Sequence, residues 1–280
     1  MVMQLPLPAV DCAALIDQLV VERQNGVNAA YFASVHAEWR QRITEYSTLE
    51  GHPASVPAWA AIEPYKTRFL TLYNNPKEGQ VQYSILKNLR NRKLQLCPGC
   101  GEEGTPNTLD HYLPKADYPH LAILPTNLSP LCDICQSAKG TDTLDPAGQK
   151  IFLHPYFDDH GKNQVLKLTI NLPFDKPHGF QLDPHPNLNV PDRAQVERHM
   201  IGLKLRKRYG GFFRAEHVRL LRLASKARGG PRDFAIHLEL FRDFHADRGL
   251  NCWPHIFYDA ICGNTPLVNF LRTGTLPEVI

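Results

Sequence analysis

Residues 97–139 read CPGCGEEGTPNTLDHYLPKADYPHLAILPTNLSPLCDICQSAK. Two Cys-x-x-Cys pairs, Cys97/Cys100 and Cys132/Cys135, bracket the dipeptide Asp110-His111, and Asn127 stands just before the second pair. Each Cys-x-x-Cys is a tight turn that can present two thiolates to one tetrahedral ion, and two such turns complete a closed structural zinc site. The alternative is buried free thiols or redox pairs. The 31-residue gap between Cys100 and Cys132 is longer than a simple zinc ribbon needs, so the insert must carry something more. Gly101, directly after the first pair, suits the turn.

Within the insert, Leu109-Asp110-His111-Tyr112-Leu113-Pro114-Lys115 reads as a strand closed by proline. Adjacent strand residues point to opposite faces, so Asp110 and His111 are not expected to bind one ion together. One can take a metal while the other faces a water nucleophile. Phosphodiester hydrolysis needs a base to activate water and a cation to neutralise the developing charge. A neutral imidazole and a carboxylate supply those two roles.

These residues resemble the HNH endonucleases, the ββα-metal nucleases, in their Cys-bearing form. The shared pattern runs Cys97-x-x-Cys100, Asp110-His111-x-x-Pro114-Lys115, Asn127-Leu128, and Cys132-x-x-Cys135-Gln136-x-x-Lys139-Gly140. The resemblance implies a two-strand ribbon over residues 109–124 and a crossing helix from about Cys132. It implies His111 as general base and Asp110 as ligand of a catalytic Mg²⁺ or Mn²⁺ ion. Asn127 would fix the loop or orient His111, and Lys139 would approach the scissile phosphate or steady the helix. Where the family has Asn after the last Cys, this chain has Gln136: a hard oxygen donor of the same type, one methylene longer. Three readings follow: a direct ligand, a water-bridged ligand, or a weakened site. His120 and His154 are alternative contacts to metal or phosphate. The Asp-His-x-x-Pro-Lys form is also similar to stand-alone bacterial HNH proteins, including those paired with ATPases in anti-phage systems such as Septu. That similarity implies an ATPase partner and a role in defence.

The rest of the chain is expected to support this module. Of 280 residues, 43% are hydrophobic, enough for a sizeable core. The net charge of +3 is too small to diagnose a polyanion partner, so charge distribution matters more. The N-terminal run has no basic segment and is interrupted by Asp11 and Asp17, unlike a signal peptide. No apolar stretch is long enough for a membrane span. A reducing cytoplasm is then the expected location, and paired Cys there read as metal ligands.

Apolar periodicity predicts helices over Val10–Arg23, Asn28–Tyr46, Tyr65–Tyr73, and after Pro76. The last of these ends in Arg90, Arg92 and Lys93, read either as a solvated helix end or as phosphate contacts. A strand is expected over Val165–Leu172, then a Pro-rich loop, then a helix over Arg193–Tyr209 with Asp192 as N-cap. From Ile201 to Arg232 there are ten Lys/Arg against the single acid Glu216. Gly210-Gly211 and Gly229-Gly230 punctuate that run, and Arg219, Arg222 and Lys226 share one helical face. Such a stripe is either a solvated amphipathic face or the footprint of a nucleic-acid backbone. The C-terminal segment reads as helix, with Phe234, Leu238, Phe241 and Phe244 in the core.

The expected architecture is α+β and predominantly helical: a helical segment 1–95, a zinc-stapled ββα-metal module 96–160, and a mostly helical, basic segment 161–280. The expected function is metal-dependent hydrolysis of DNA, with RNA cleavage or non-catalytic binding as rivals. Internal repeats, a P-loop and a dinucleotide-binding glycine motif are all absent.

Overall fold

The computed structural model describes residues 2–228 and 234–277, and it is α+β and mostly helical. Two compact units interleave in sequence: one joins 5–94 to 105–158, the other joins 1–4, 95–104 and 159–280. These bounds follow packing and do not coincide with the three segments drawn on motif boundaries.

The first unit opens with α1 (Cys12–Glu22), whose N-cap Asp11 accepts from the amides of Ala13 and Ala14, satisfying two of the first-turn donors that a helix leaves unpaired. Next comes α2 (Ala29–Thr48), which buries Phe32, Trp39, Ile43 and Tyr46 on one face. A 3-10 turn, Ala60–Tyr65, leads into α3 (Lys66–Asn74), whose Phe69 packs edge-on against Phe32 and Trp39. Each such fully buried ring contributes roughly 1.5–3 kcal/mol. The Trp39 indole N–H donates to the His120 carbonyl at 2.9 Å, tying α2 to the insert. The fourth helix, α4 (Val81–Arg90), lays Leu86 and Leu89 on Leu109 and Leu128.

Those last two residues belong to an antiparallel ribbon, β1 (Thr108–His111) with β2 (Leu128–Leu131), in which Asp110 lies opposite Ser129 and His111 opposite Leu128. A helix, α5 (Asp133–Lys139), follows directly. The ribbon therefore spans 108–131, where 109–124 was expected. Its second strand lies later because residues 112–127 form a buried loop with 3-10 turns at Pro119–Leu121 and Pro125–Asn127. Prolines at 114, 119 and 125 cannot donate to a ladder.

The second unit contains the hairpin β3 (Leu166–Ile170) with β4 (Phe180–Pro184). It also holds α6 (Val190–Gly202), α7 (Leu205–Ala227), α8 (Phe234–Ala246), α9 (Trp253–Cys262) and α10 (Thr265–Thr273). Several expectations change here. The Pro-rich stretch contains a strand, β4. The helix expected over Arg193–Tyr209 is two, broken at Lys204, which has φ 54°. Its first half starts earlier than Asp192, because the Asn189 side chain accepts from the Asp192 amide and is the true N-cap. Gly210-Gly211 lies inside α7: a Cβ at Gly210 would come within 3.1 Å of the Phe180 ring, so the glycine admits β4's aromatic rather than ending a helix. Gly229, Gly230 and Arg232 lie outside the described residues. On α8, Phe234 and Leu238 are buried, but Phe241 and Phe244 are 36% and 55% exposed and are not core. Trp253, Ile256, Phe257, Ile261 and Leu267 are buried. No helix among the described residues is long and apolar enough to cross a membrane.

Candidate metal and phosphodiester site

The sulfurs of Cys97, Cys100, Cys132 and Cys135 all lie within 4.8 Å of one another. A tetrahedral zinc with Zn–S bonds near 2.3 Å would hold its sulfurs about 3.8 Å apart, so four thiolates of this kind fit a structural zinc. Donors already point at the sulfurs: the Cys135 amide lies 3.4 Å from Cys132 Sγ, and an Arg208 guanidinium nitrogen lies 3.3 Å from Cys100 Sγ. Such donors favour the thiolate form that a metal requires. The first pair sits in a knuckle where the Gly101 amide donates to the Cys97 carbonyl at 2.8 Å and the Trp253 indole donates to the Cys100 carbonyl at 2.7 Å. Gly101 has φ +76°, and a Cβ there would meet the Asn251 carbonyl oxygen at 2.1 Å, so no other residue fits.

Strand alternation separates Asp110 from His111. Asp110 is 5% exposed and faces α5, where the Gln136 side chain hydrogen-bonds to its carboxylate. A carboxylate only accepts, so Gln136 donates through its amide nitrogen. Asp110 Oδ2 is fully buried, accepts no directed hydrogen bond, and lies 3.2 Å from the Lys139 ammonium. The directed bond of that ammonium goes to the His111 carbonyl, at 2.8 Å. Burial raises the Asp110 pKa, and the Lys139 charge opposes the rise. A divalent cation at this carboxylate would have to replace the Lys139 ammonium and the Gln136 amide donor that it now faces. Lys139 therefore steadies α5 against β1 and is not positioned at the surface.

We expect Lys139→Met to leave Asp110 as an uncompensated buried charge, at a cost of about 3–5 kcal/mol. Adding Asp110→Asn should recover most of that loss. Chemical denaturation of the single and double variants checks this; a single variant as stable as the native chain would contradict the pairing.

His111 turns the other way. Its Nε2 lies 2.9 Å from the Ala122 carbonyl, which can only accept, so the proton sits on Nε2 and Nδ1 carries the lone pair. The ring packs edge-on against Tyr73 at 4.4 Å. Burial pushes its pKa down to about 3, assisted by the charges of Lys115, Lys139 and Arg90, so the imidazole is neutral at pH 7. Lys115 and Arg90 lie over the Tyr73 ring, at 4.6 and 5.4 Å, and Lys115 donates to the Asn74 carbonyl oxygen of the side chain at 3.1 Å. The fold thus gathers His111, Tyr73, Arg90 and Lys115 into one basic corner.

Asn127 takes the loop-fixing role. Its Oδ1 accepts from the Leu113 amide at 2.8 Å and from the Tyr46 hydroxyl at 3.1 Å, and its Nδ2 donates to the carbonyls of Leu113 and Leu121. None of these bonds reaches His111. His154 is equally committed: Nδ1 accepts from the amides of Tyr156 and Phe157, and Nε2 meets the Tyr46 hydroxyl. His120 is buried edge-on against Trp59. The Arg92 guanidinium donates to the Pro6 carbonyl, while Lys93 is exposed. Arg219, Arg222 and Lys226 are exposed on α7, in the second unit, with Arg219 paired to Glu216. Sequence reading missed Tyr73, Tyr46 and the Ala122 carbonyl. Tyr73 ends a helix whose face could not be matched to His111 from periodicity, and a backbone acceptor has no residue-type signal.

No family model matches the chain, and no solved structure matches it. A stretch of 64 residues is 39% identical to Protein ea31 of Escherichia phage lambda, covering 22% of this chain and 21% of that protein. The chain therefore matches about a fifth of the length of that relative.

Proposed function

We propose that this chain is a metal-dependent endonuclease of the HNH type, hydrolysing DNA phosphodiester bonds on a zinc-stapled ββα-metal core. The observation that carries the proposal is the order ribbon-then-helix, β1–β2–α5, with Asp110 turned toward Gln136 and His111 turned toward Arg90 and Lys115. His111 is the general base: Nδ1 takes a proton from water while the Ala122 carbonyl holds the ring. Asp110 and Gln136 are the residues that would hold a Mg²⁺ or Mn²⁺ ion. To ligate through oxygen, Gln136 must turn the amide that now donates to Asp110. The bound ion supplies neutralisation of charge on the leaving oxygen. Arg90 and Lys115 attract the phosphate, and its negative charge reverses their depressing effect on the His111 pKa, making the base stronger once substrate is seated. The basic face of α7 contributes backbone affinity without base readout. Control by an ATPase partner and a place in bacterial defence belong to the same reading, through the resemblance given above.

A non-catalytic zinc module is favoured by one observation, the Lys139 ammonium beside the Asp110 carboxylate, which already supplies that carboxylate with a cation. Competition separates the substrate classes: labelled duplex DNA and RNA of one sequence, mixed in Mg²⁺ buffer. DNA should be consumed first. Cleavage of RNA alone would replace the DNA reading with an RNA nuclease.

A further inference from the structure

A second site lies in the first unit, in a cavity of about 330 Å³ between the end of α1, the start of α2, α3 and the start of α4. That volume is at the lower end of the small-ligand range. Its charged lining is wholly basic: Arg23, Arg68 and Lys77. Arg68 lies against the adjoining rings of Tyr31 and Tyr65, with its guanidinium carbon 4.4 and 4.8 Å from the two ring centroids. No hydrogen bond or ion pair of Arg68 occurs among the described residues, so its donors are held in place and unused. Arg23 donates to the Leu19 carbonyl and lies 3.6 Å from Glu22, whose carboxylate also accepts from the Val81 amide at the start of α4.

The cavity also has a demand of opposite sign. Gln82 lines it, is 1% exposed, and its Oε1 is buried with no hydrogen-bond partner. The amide orientation is fixed by a chain of donors. The Lys77 N–H donates to Gln80 Oε1 at 2.9 Å, so that atom is the oxygen; Gln82 Nε2 donates to the same oxygen at 2.9 Å, so Gln82 keeps its own oxygen free. An unmet buried acceptor costs about 1–3 kcal/mol. A simple anion would satisfy the arginines and leave Gln82 unpaired. A ligand that satisfies both carries a negative charge and an N–H donor, with apolar surface for Phe32 and Leu72.

We infer that this cavity binds a nucleoside monophosphate, its phosphate on Arg68, Arg23 and Lys77 and a base N–H on Gln82. The inference is independent of the nuclease reading. The same helix serves both places: Thr71 and Asn75 line the cavity, while Tyr73 and Asn74 meet His111 and Lys115.

The test is calorimetric titration of the full chain with the four ribonucleoside 5′-monophosphates, with inorganic phosphate and the free nucleosides as single-feature controls. At least one monophosphate should bind ten-fold or more tighter than phosphate and than its own nucleoside. Arg68→Gln and Lys77→Ala, both outside the packed core, should each weaken that ligand several-fold. Gln82→Met should weaken the nucleotide and leave phosphate binding unchanged. Equal binding of nucleotide and phosphate, no binding of either, or nucleotide binding unaffected by Arg68→Gln would overturn the assignment. Because Gln82→Met alters a buried side chain, the Arg68 and Lys77 variants decide the matter if it fails to fold.

Discussion

Replacing His111 with alanine should reduce phosphodiester cleavage by about 10²–10⁴-fold, the range for a lost general base. The expectation follows from three features of one side chain. Its Nε2 is committed to the Ala122 carbonyl, which fixes the tautomer and leaves Nδ1 as acceptor. Its surroundings keep it neutral. Its neighbours Arg90 and Lys115 mark the direction from which an anion would approach. The fold should survive the change. The ring meets the Ala122 carbonyl and Tyr73, so the variant loses one hydrogen bond and leaves one buried carbonyl unmet, at about 1–3 kcal/mol. Zinc content and circular dichroism should therefore match the native chain. His154→Ala is the useful contrast. His154 carries hydrogen bonds to Tyr46, Tyr156 and Phe157, so its loss should lower stability first and cleavage only as a consequence.

The largest effect on stability is expected at the thiols. Cys135→Ser should abolish stoichiometric zinc and cost on the order of 4 kcal/mol or more, the scale for losing a structural metal. For a chain of this size that lowers the melting temperature by roughly 10 °C. Cys135 is fully buried, its sulfur stands within 4.8 Å of those of Cys97, Cys100 and Cys132, and four thiols that close would have little other means of stabilisation. Cys12→Ser and Cys262→Ser, outside that group, should leave zinc content unchanged. Elemental analysis with calorimetry checks this, and a native chain that holds no zinc would remove the staple from the account.

The parts of the fold that could be read in advance are those where one residue type has one physical use. Phe32, Trp39 and Ile43 recur at helical spacing and all are buried on α2. Paired cysteines at two-residue spacing converge. Where a residue type has two uses, the reading failed. Gly210 looked like a helix stop and instead makes room for Phe180, a contact between distant segments that no local pattern encodes. Asn189 and Asp192 are both good N-caps three residues apart, and only the direction of one hydrogen bond distinguishes them. Prolines suggested an uninterrupted loop around β4, yet Phe180–Pro184 pairs with β3 because Pro184 stands at the strand's end. On α8, the Phe stripe followed helical spacing, but periodicity shows which residues share a face and not what covers that face.

The site divides the same way. That Asp110 and His111 face opposite ways was legible from strand alternation, and that Gln136 comes near Asp110 was implied by the resemblance. The basic corner was half legible: Arg90 and Lys115 are charged residues near the motif, but Tyr73, which both cations overlie, brings them beside His111 only through the packing of α3 and α4 on the ribbon. For Lys139 the sequence leaves open a phosphate contact or a support of the helix, and its burial on Asp110 and the His111 carbonyl decides for the second.

The central claim is that the chain cleaves phosphodiesters through His111 with a divalent cation at Asp110. The measurement that tests it most directly is nicking of supercoiled plasmid by the native chain and by His111→Ala, side by side, in Mg²⁺ or Mn²⁺ and again with EDTA in excess. The account predicts nicked circles from the native chain with metal, none with EDTA, and none from His111→Ala at equal zinc content. Nicking that persists at native rate in the His111 variant, or in EDTA, would contradict it.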